Sequence, residues 1–266
     1  MIKSLAYVTD LFFPAFDGEI IDRGDYLVIR SPSNPDYYWG NFVLFSKAPT
    51  RNDFSQWQDI FTREIGSPPN VVHMVFGWDS PDGELGDVEP FIKQGFRLNQ
   101  NVVLESHKPT PPYRVSSEVV TRPLESDSDW AQAFDNQKAC WPQEVKEPDQ
   151  LTFLGKQMDR YRRMADAGLG KWFGAFLDDH LVADLGVFHD HQIGRYQSVE
   201  THPEFRRRGI AGQLVYEAGC YSLKKFSLQK LVIVADEDSA AQRLYQSLGF
   251  NPAEKQVGLE WWLDMY

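Results

Sequence analysis

The 266-residue chain is 42% hydrophobic and 24% charged, the composition of a folded globular protein with room for one large domain or two ordinary ones. Its net charge is −11 and the acid excess runs through both halves, which argues against a nucleic-acid backbone as partner and mildly favours a cationic substrate. The two cysteines, Cys140 and Cys220, lie far apart in no metal-spacing pattern, no run of about 18 apolar residues occurs, and the N-terminus has no leader-like core, so the expectation is a cytoplasmic protein with no disulfide framework, metal or membrane span.

In chain order, residues 1–24 mix apolar and acidic side chains, with Phe12–Phe16 expected as a packed irregular segment. Tyr26–Arg30 reads as a strand, Ser31–Asp36 as a turn cluster, and Trp39–Phe45 as a more buried strand. Asn52 or Asp53 can cap a helix reaching Ile65, with Phe54, Trp57, Ile60, Phe61 and Ile65 on one face. Val71–Trp78 is strand-like, Glu84–Gln94 is expected as a helix stopped by Gly95, and Phe96–Glu105 is strand-like again. Pro109, Pro111 and Pro112 lie among polar residues and mark a linker, drawn at 109–117 between domains at 1–108 and 118–266.

The second half opens with a strand at Glu118–Leu124. Ser126 or Asp127 caps a helix reaching about Trp141, and Asp149 or Gln150 opens another to Ala167 that buries Leu154, Met158, Tyr161 and Met164. Trp172–Leu177 and Leu181–Phe188 form a hairpin around Asp178, Asp179 and His180, which read as turn residues rather than as a metal cluster. Ile193–Thr201 is the next strand. A helix from about Ile210 to Phe226, a buried strand at Lys230–Ala235, a helix from Asp238 or Ser239 to Leu248, and a final strand near Gln256–Leu263 complete the order.

The stretch Thr201–Val215 carries the chemistry. A strand runs into three arginines, then glycines at 209 and 212, then a helix. Amides not yet paired within the helix point outward there, the helix dipole adds partial positive charge, and glycine lets backbone approach an anion closely. A pyrophosphate fits such a device. A Rossmann loop follows the first strand of repeated βα units, and a Walker loop ends in Gly-Lys-Ser/Thr; this chain does neither.

The order β-α-α-β-β-β-α-β-α-β, together with these residues, resembles the GNAT family of acetyl-CoA-dependent N-acetyltransferases. Arg206, Gly209 and Ala211 fill that family's Arg/Gln-x-x-Gly-x-Gly/Ala pattern. The preceding Val199-Glu200-Thr201-His202-Pro203, the strand at 230–235, and Asp238 to Phe250 match further features in order; the last resembles the family's Asn-x-x-Ala-x-x-Leu-Tyr-x-x-x-Gly-Phe segment. Asp238 departs from it, since a carboxylate cannot donate as an amide does. An internal repeat is also visible: Met74–Asp79, a helix, Gly95-Phe96 and Val102–Glu105 parallel Val232–Asp236, a helix, Gly249-Phe250 and Val257–Glu260. The first half thus resembles a degenerate copy, in which Ser46–Arg51 offers no glycine and a proline without an N–H, and no cofactor is expected there.

The resemblance implies an α+β fold of two GNAT-like domains, each a mixed, mostly antiparallel sheet flanked by helices. It implies acetyl-CoA as cosubstrate and a small-molecule or peptide amine as acceptor, with direct attack in a ternary complex. Cofactor contacts would come from Val199, Thr201, Arg206, Arg207, Arg208, Gly209, Ile210, Ala211, Gly212, Asp238 and Tyr245. Tyr245 stands where the family often has its general acid, although its helix also suits core packing. Glu200 is the best candidate base, with His202 a weaker rival that also suits a cap. Trp141, Tyr161 and Trp172 can line the acceptor site or the core. The rival readings are a CoA-binding regulatory module without turnover and a protein N-terminal or lysine acetyltransferase. A monomer or homodimer is expected.

Overall fold

The structure, a computed structural model, describes residues 2–141 and 148–263. Its contacts divide the chain into two units, Met1–Val103 with Ala253–Tyr266, and Leu104–Pro252. Both are mixed sheets flanked by helices, an α+β architecture.

In the first unit the strands lie in the order β1 (Glu19–Asp22), β2 (Tyr26–Arg30), β3 (Phe42–Phe45), β4 (His73–Trp78), β11 (Asn251–Trp262) and β5 (Arg97–Ser106). The last strand of the chain, expected in the second domain, groups here because β11 pairs antiparallel with β4, Leu259 opposite Phe76. The segment expected to be irregular instead forms two short helices, α1 (Leu5–Asp10) and α2 (Phe12–Asp17). Pro14 is compatible with α2 because it sits in the first turn, where an N–H has no partner within the helix. The expected helix at 84–94 shrinks to α4 (Glu89–Ile92). Asp87 N–H is drawn to Pro49 C=O at 2.7 Å, and Gly86 takes φ +64°, so the chain before α4 is a pinned turn. Helix α3 (Asp53–Glu64) lays Trp57, Ile60 and Phe61 on the sheet, with Trp57 stacked on Phe45 at a centroid distance of 3.8 Å. Phe76, Trp78, Phe91 and Phe96 complete that core.

The second unit orders its strands β10 (Lys230–Asp236), β9 (Ile193–Thr201), β8 (His180–His189), β7 (Gly170–Leu177) and β6 (Val119–Pro123). All neighbours are antiparallel except β9 and β10, which run parallel. Helix α5 (Asp127–Cys140) starts from a capping box: Ser126 accepts Asp129 N–H, and Asp129 accepts Ser126 N–H. Asp129 is also gripped by both terminal nitrogens of Arg122 at 2.8 Å. Alternation along β7 sets the layers. Trp172 stacks on Tyr161 of α6 (Pro148–Asp166) at 4.8 Å, while its neighbour Phe173 meets Tyr221 of α7 (Ile210–Phe226) at 5.3 Å. Successive strand residues point to opposite faces, so α6 and α7 cover opposite faces, and both β7 and β8 are buried nearly throughout. The capping role expected of Asp149 or Gln150 lies outside the described side chains. The hairpin turn takes Asp178 and Asp179 at positive φ, as a two-residue turn requires.

Candidate active site

Strands β9 and β10 stay in register only from Ile193↔Lys230 to Arg195↔Val232. Beyond that point Tyr196–Thr201 and Ile233–Asp236 run on without pairing to each other, so the sheet opens at their C-terminal ends. On its other side β9 is irregular. Gly186 faces Gln197, yet Asp184 faces Glu200, so β9 carries one residue more than β8 over this step. The extra residue sits at a bulge in which Ser198 takes φ +48°.

Side chains from α5 hold the bulge. Gln137 Nε2 donates to Ser198 C=O at 3.0 Å and to the fully buried Asp184 carboxylate. One turn on, Cys140 Sγ donates to Thr201 C=O at 3.3 Å, and Arg206 Nε donates to the same carbonyl at 3.0 Å. Burial pushes the Cys140 thiol up to about 12, with the nearby Glu200 charge adding to it, which disfavours the thiolate.

The loop after β9 turns through a 3₁₀ segment at Pro203–Phe205. His202 caps it, its Nδ1 accepting Glu204 N–H at 3.4 Å, which is the bland reading of that histidine. Arg207 and Gly209 then take φ +64° and +85°, and Gly209 becomes the N-cap of α7. The first helical bond is Gln213 N–H to Gly209 C=O at 3.1 Å. The N–H groups of Arg207 through Gly212 donate to no acceptor among the described residues. They surround a cavity of about 210 Å³ lined by Thr201, Phe205, Arg206, Arg207, residues 209–212 and Leu244. Alternating left-handed residues followed by a helix start aim successive amides at one point, an arrangement suited to an anion.

Helix α8 (Ala240–Ser247) brings up Tyr245, buried at 5% exposure. Burial holds its hydroxyl well above the ordinary tyrosine range, and the charge of Glu200 raises it further. Glu200 itself is partly buried. Burial lifts its carboxyl above the usual range, while Cys140 and the Arg206 charge pull it back. The Glu200 charge thus acts on Tyr245, the two residues standing on β9 and α8. Val199 lies in the bulge and Thr201 at the strand end, where its carbonyl is taken by Cys140 and Arg206. Asp238, at φ +58°, precedes the N-cap Ser239; its N–H is taken by Gln242 Oε1 at 2.6 Å and its C=O by Arg243 at 2.7 Å. Tyr161 and Trp172 are core residues, and Trp141 stacks on Phe153.

The parallel pair of the first unit behaves differently. There β3 and β4 stay in register to Phe45↔Trp78, and Asp79 N–H extends the ladder to Phe45 C=O at 2.9 Å. At the head of α3, Asp53 turns back to accept Thr50 N–H at 2.7 Å, while Asn52, at the N-cap, makes no side-chain capping bond.

Sequence reasoning missed Gln137, Cys140 and Asp184 around the bulge. Asp184 had a signal, a lone carboxylate inside the apolar run Leu181–Phe188; the other two lie on an ordinary amphipathic helix. No group of three or more His, Cys, Asp or Glu placed to hold a metal occurs among the described residues, nor any helix long and apolar enough to cross a membrane.

Residues 169–252 match the model of the acetyltransferase (GNAT) domain. No curated protein sequence matches the chain. Among solved structures, the chain is similar to a conserved protein of unknown function from Staphylococcus epidermidis ATCC 12228, at 13% identity and TM-score 0.69, covering 92% of this chain and 94% of that one. It is similar to a GCN5-related N-acetyltransferase from Kribbella flavida at 12% identity and TM-score 0.65, covering 97% and 95%. A tandem GNAT protein from the clavulanic acid biosynthesis pathway aligns at 13% identity and TM-score 0.54, covering 95% and 87%. At such identities the likeness is one of fold. Residues 169–252 are thus similar to a GNAT acetyltransferase domain, within a fold similar over nearly the whole chain to that of a tandem GNAT protein.

Proposed function

We propose that the second unit transfers an acetyl group from acetyl-CoA to an amine. The observation that carries this reading is the run of unengaged amides from Arg207 to Gly212 beside the opening between β9 and β10. Those amides, with the guanidinium groups of Arg206, Arg207 and Arg208, suit the cofactor's pyrophosphate. The edge of β9 beyond Arg195, unpaired with β10 and including Val199, suits its extended arm. Acetyl-CoA supplies an activated thioester.

Glu200 takes the proton from the acceptor amine, directly or through water. A carboxyl lifted by burial is a better base than an ordinary one. Tyr245 keeps its proton over the working range, because burial and Glu200 both disfavour the phenolate. It is therefore available to protonate the departing thiolate. Asp238 contributes to binding only through its backbone, since its carboxylate cannot donate. The first unit takes no cofactor in this reading, because its parallel ladder is closed to the end of β3. The acceptor in this reading is a small-molecule or peptide amine.

The test is calorimetry with acetyl-CoA, followed by a thiol-release assay against a panel of small amines and peptides. Saturable binding with CoA release on at least one amine is expected. Binding without release on any amine would favour a regulatory CoA-binding module, and no binding at all would sink both readings.

A further inference from the structure

The segment expected as a linker is itself packed against the phosphate loop. Thr110 N–H donates to Leu248 C=O at 2.7 Å, Ser116 N–H donates to Gln213 Oε1 at 3.0 Å, and Arg114 Nη1 donates to Arg207 C=O at 3.3 Å. Three glycines leave space for it. A Cβ on Gly249 would lie 2.6 Å from Thr110 Oγ1, one on Gly209 2.9 Å from Arg114 Cγ, and one on Gly212 3.5 Å from Pro112 Cβ. So Gly209, read from the sequence as clearing room for a phosphate, also clears room for this strap. All of these contacts lie within Leu104–Pro252.

Held at these points, the strap still exposes its middle. Tyr113 is fully exposed, and Arg114 beside it is exposed too. The charge pattern is also uneven. Arg206, Arg207, Arg208 and Arg114 converge on one loop, and among the described residues none forms an ion pair with a carboxylate. Arg206, Arg208 and Arg114 donate instead to the backbone carbonyls of Thr201, Glu204 and Arg207. By contrast Arg23, Arg122, Arg162 and Arg163 all have carboxylate partners. In a chain with 38 acidic and 27 basic side chains, Arg206 and Arg207 line this cavity without a salt bridge among the described residues and Arg114 stands at the Arg207 carbonyl, which suits a ligand with several negative charges.

The loop amides and the three successive arginines are enough for a pyrophosphate. Arg114 reaches the outer edge of the loop from a different segment, at the Arg207 carbonyl, where it is set to meet a further charge. Resting on the acetyl-CoA reading above, we infer that Arg114 recognises the 3′-phosphate on the cofactor's adenosine, making the strap part of the cofactor site. A planar fork with one N–H engaged by Arg207 C=O keeps its remaining donors for phosphoryl oxygens.

The experiment is calorimetry of the full chain with CoA and with 3′-dephospho-CoA, for the unmodified protein, Arg114→Ala and Arg114→Lys. The unmodified chain is expected to prefer CoA by about tenfold, the worth of one exposed charge-assisted contact. Arg114→Ala should lose that preference, weakening CoA about tenfold and leaving dephospho-CoA unchanged, while Arg114→Lys keeps most of it. Equal weakening toward both ligands would overturn the inference, since Arg114 would then act only by propping the loop at Arg207. Unchanged affinity for both would overturn it as well. Failure of the unmodified chain to bind either ligand is a different result, which removes the acetyl-CoA reading and this inference with it.

Discussion

Replacing Gly209 by alanine tests whether the loop geometry is what binds the cofactor. Two costs are read from the structure. The first is conformational: at φ +85° an L-residue carries a penalty of about 1–2 kcal/mol. The second is steric. The new Cβ would lie 2.9 and 3.1 Å from Arg114 Cγ and Cδ, and 3.0 Å from Arg114 C=O. The side-chain carbons can swing aside. The carbonyl can move only with the strap, which Thr110 and Ser116 tie down, so crowding adds about 1 kcal/mol or more. Gly168→Ala is the control. It has φ +78° but nothing within 4 Å of its Cβ, so it carries the first cost alone, all of it in stability. Gly209→Ala is expected to lose about 2–3 kcal/mol in total. Whatever part distorts the loop appears as weaker acetyl-CoA binding, by roughly tenfold for each 1.4 kcal/mol. Chemical denaturation and calorimetry on both variants make the comparison. If Gly209→Ala costs no more than Gly168→Ala and binds acetyl-CoA normally, the loop and strap are not coupled as argued.

Three further outcomes are expected. Tyr245→Phe should lower kcat by about 100-fold while leaving the KM for acetyl-CoA within about twofold, because a general acid acts at the chemical step; an unchanged kcat removes Tyr245 from the mechanism. For the unmodified chain kcat/KM should rise with pH through a limb above the usual carboxylate range, since burial raises the Glu200 carboxyl and only its ionised form accepts a proton; Glu200→Gln should lack that limb, and an identical profile would pass the role to another group. Arg122→Ala should destabilise the second unit by about 2–3 kcal/mol at neutral pH, discounted from a fully buried pair because the Arg122 side chain is 40% exposed. Asp129 has its pKa held far below the ordinary value, chiefly by Arg122, so its contribution is present above the ordinary carboxylate pKa and fades as pH falls. The difference between the two proteins in urea melts should therefore shrink in acid, and a constant difference would show that the ion pair is not its source.

Periodicity and turn chemistry made most of the elements legible. The Ser126 cap, the helix faces of α3 and α6, the hairpin at Asp178-Asp179 and the βαβ order around Gly209 are all local signals, and each appears in the structure where its residues stand. What local signals cannot carry is pairing between distant strands. The apolar run in β11 has the same pattern whichever neighbour it takes, and only the ladder with β4 assigns it to the first unit. The bulge at Ser198 was hidden for a related reason. Its positive φ belongs to a residue with no glycine-like signature, and it is held by Gln137 and Asp184, far away in sequence. The proline-rich 109–117 segment has the composition of a spacer. Its packing on Gly209, Gly212 and Gly249 comes from space left by glycines a hundred or so residues later.

On the proposed reading, the two units also differ in where a parallel ladder ends. In both, a strand pairs in parallel with the one that precedes a helix and a Gly-Phe turn. In the second unit the ladder stops at Arg195↔Val232, and β9 continues past it with a bulge that diverts its far end. In the first, β3 is only four residues long, and Asp79 N–H adds one more rung after Phe45↔Trp78. That rung uses the backbone groups an extended ligand would need. On that reading the absence of glycine between residues 46 and 51 is the lesser difference. Placing a glycine loop there would create an anion-binding turn beside a sheet that does not open, so on the proposed reading a cofactor site depends first on where a parallel ladder ends and only then on the loop that follows it.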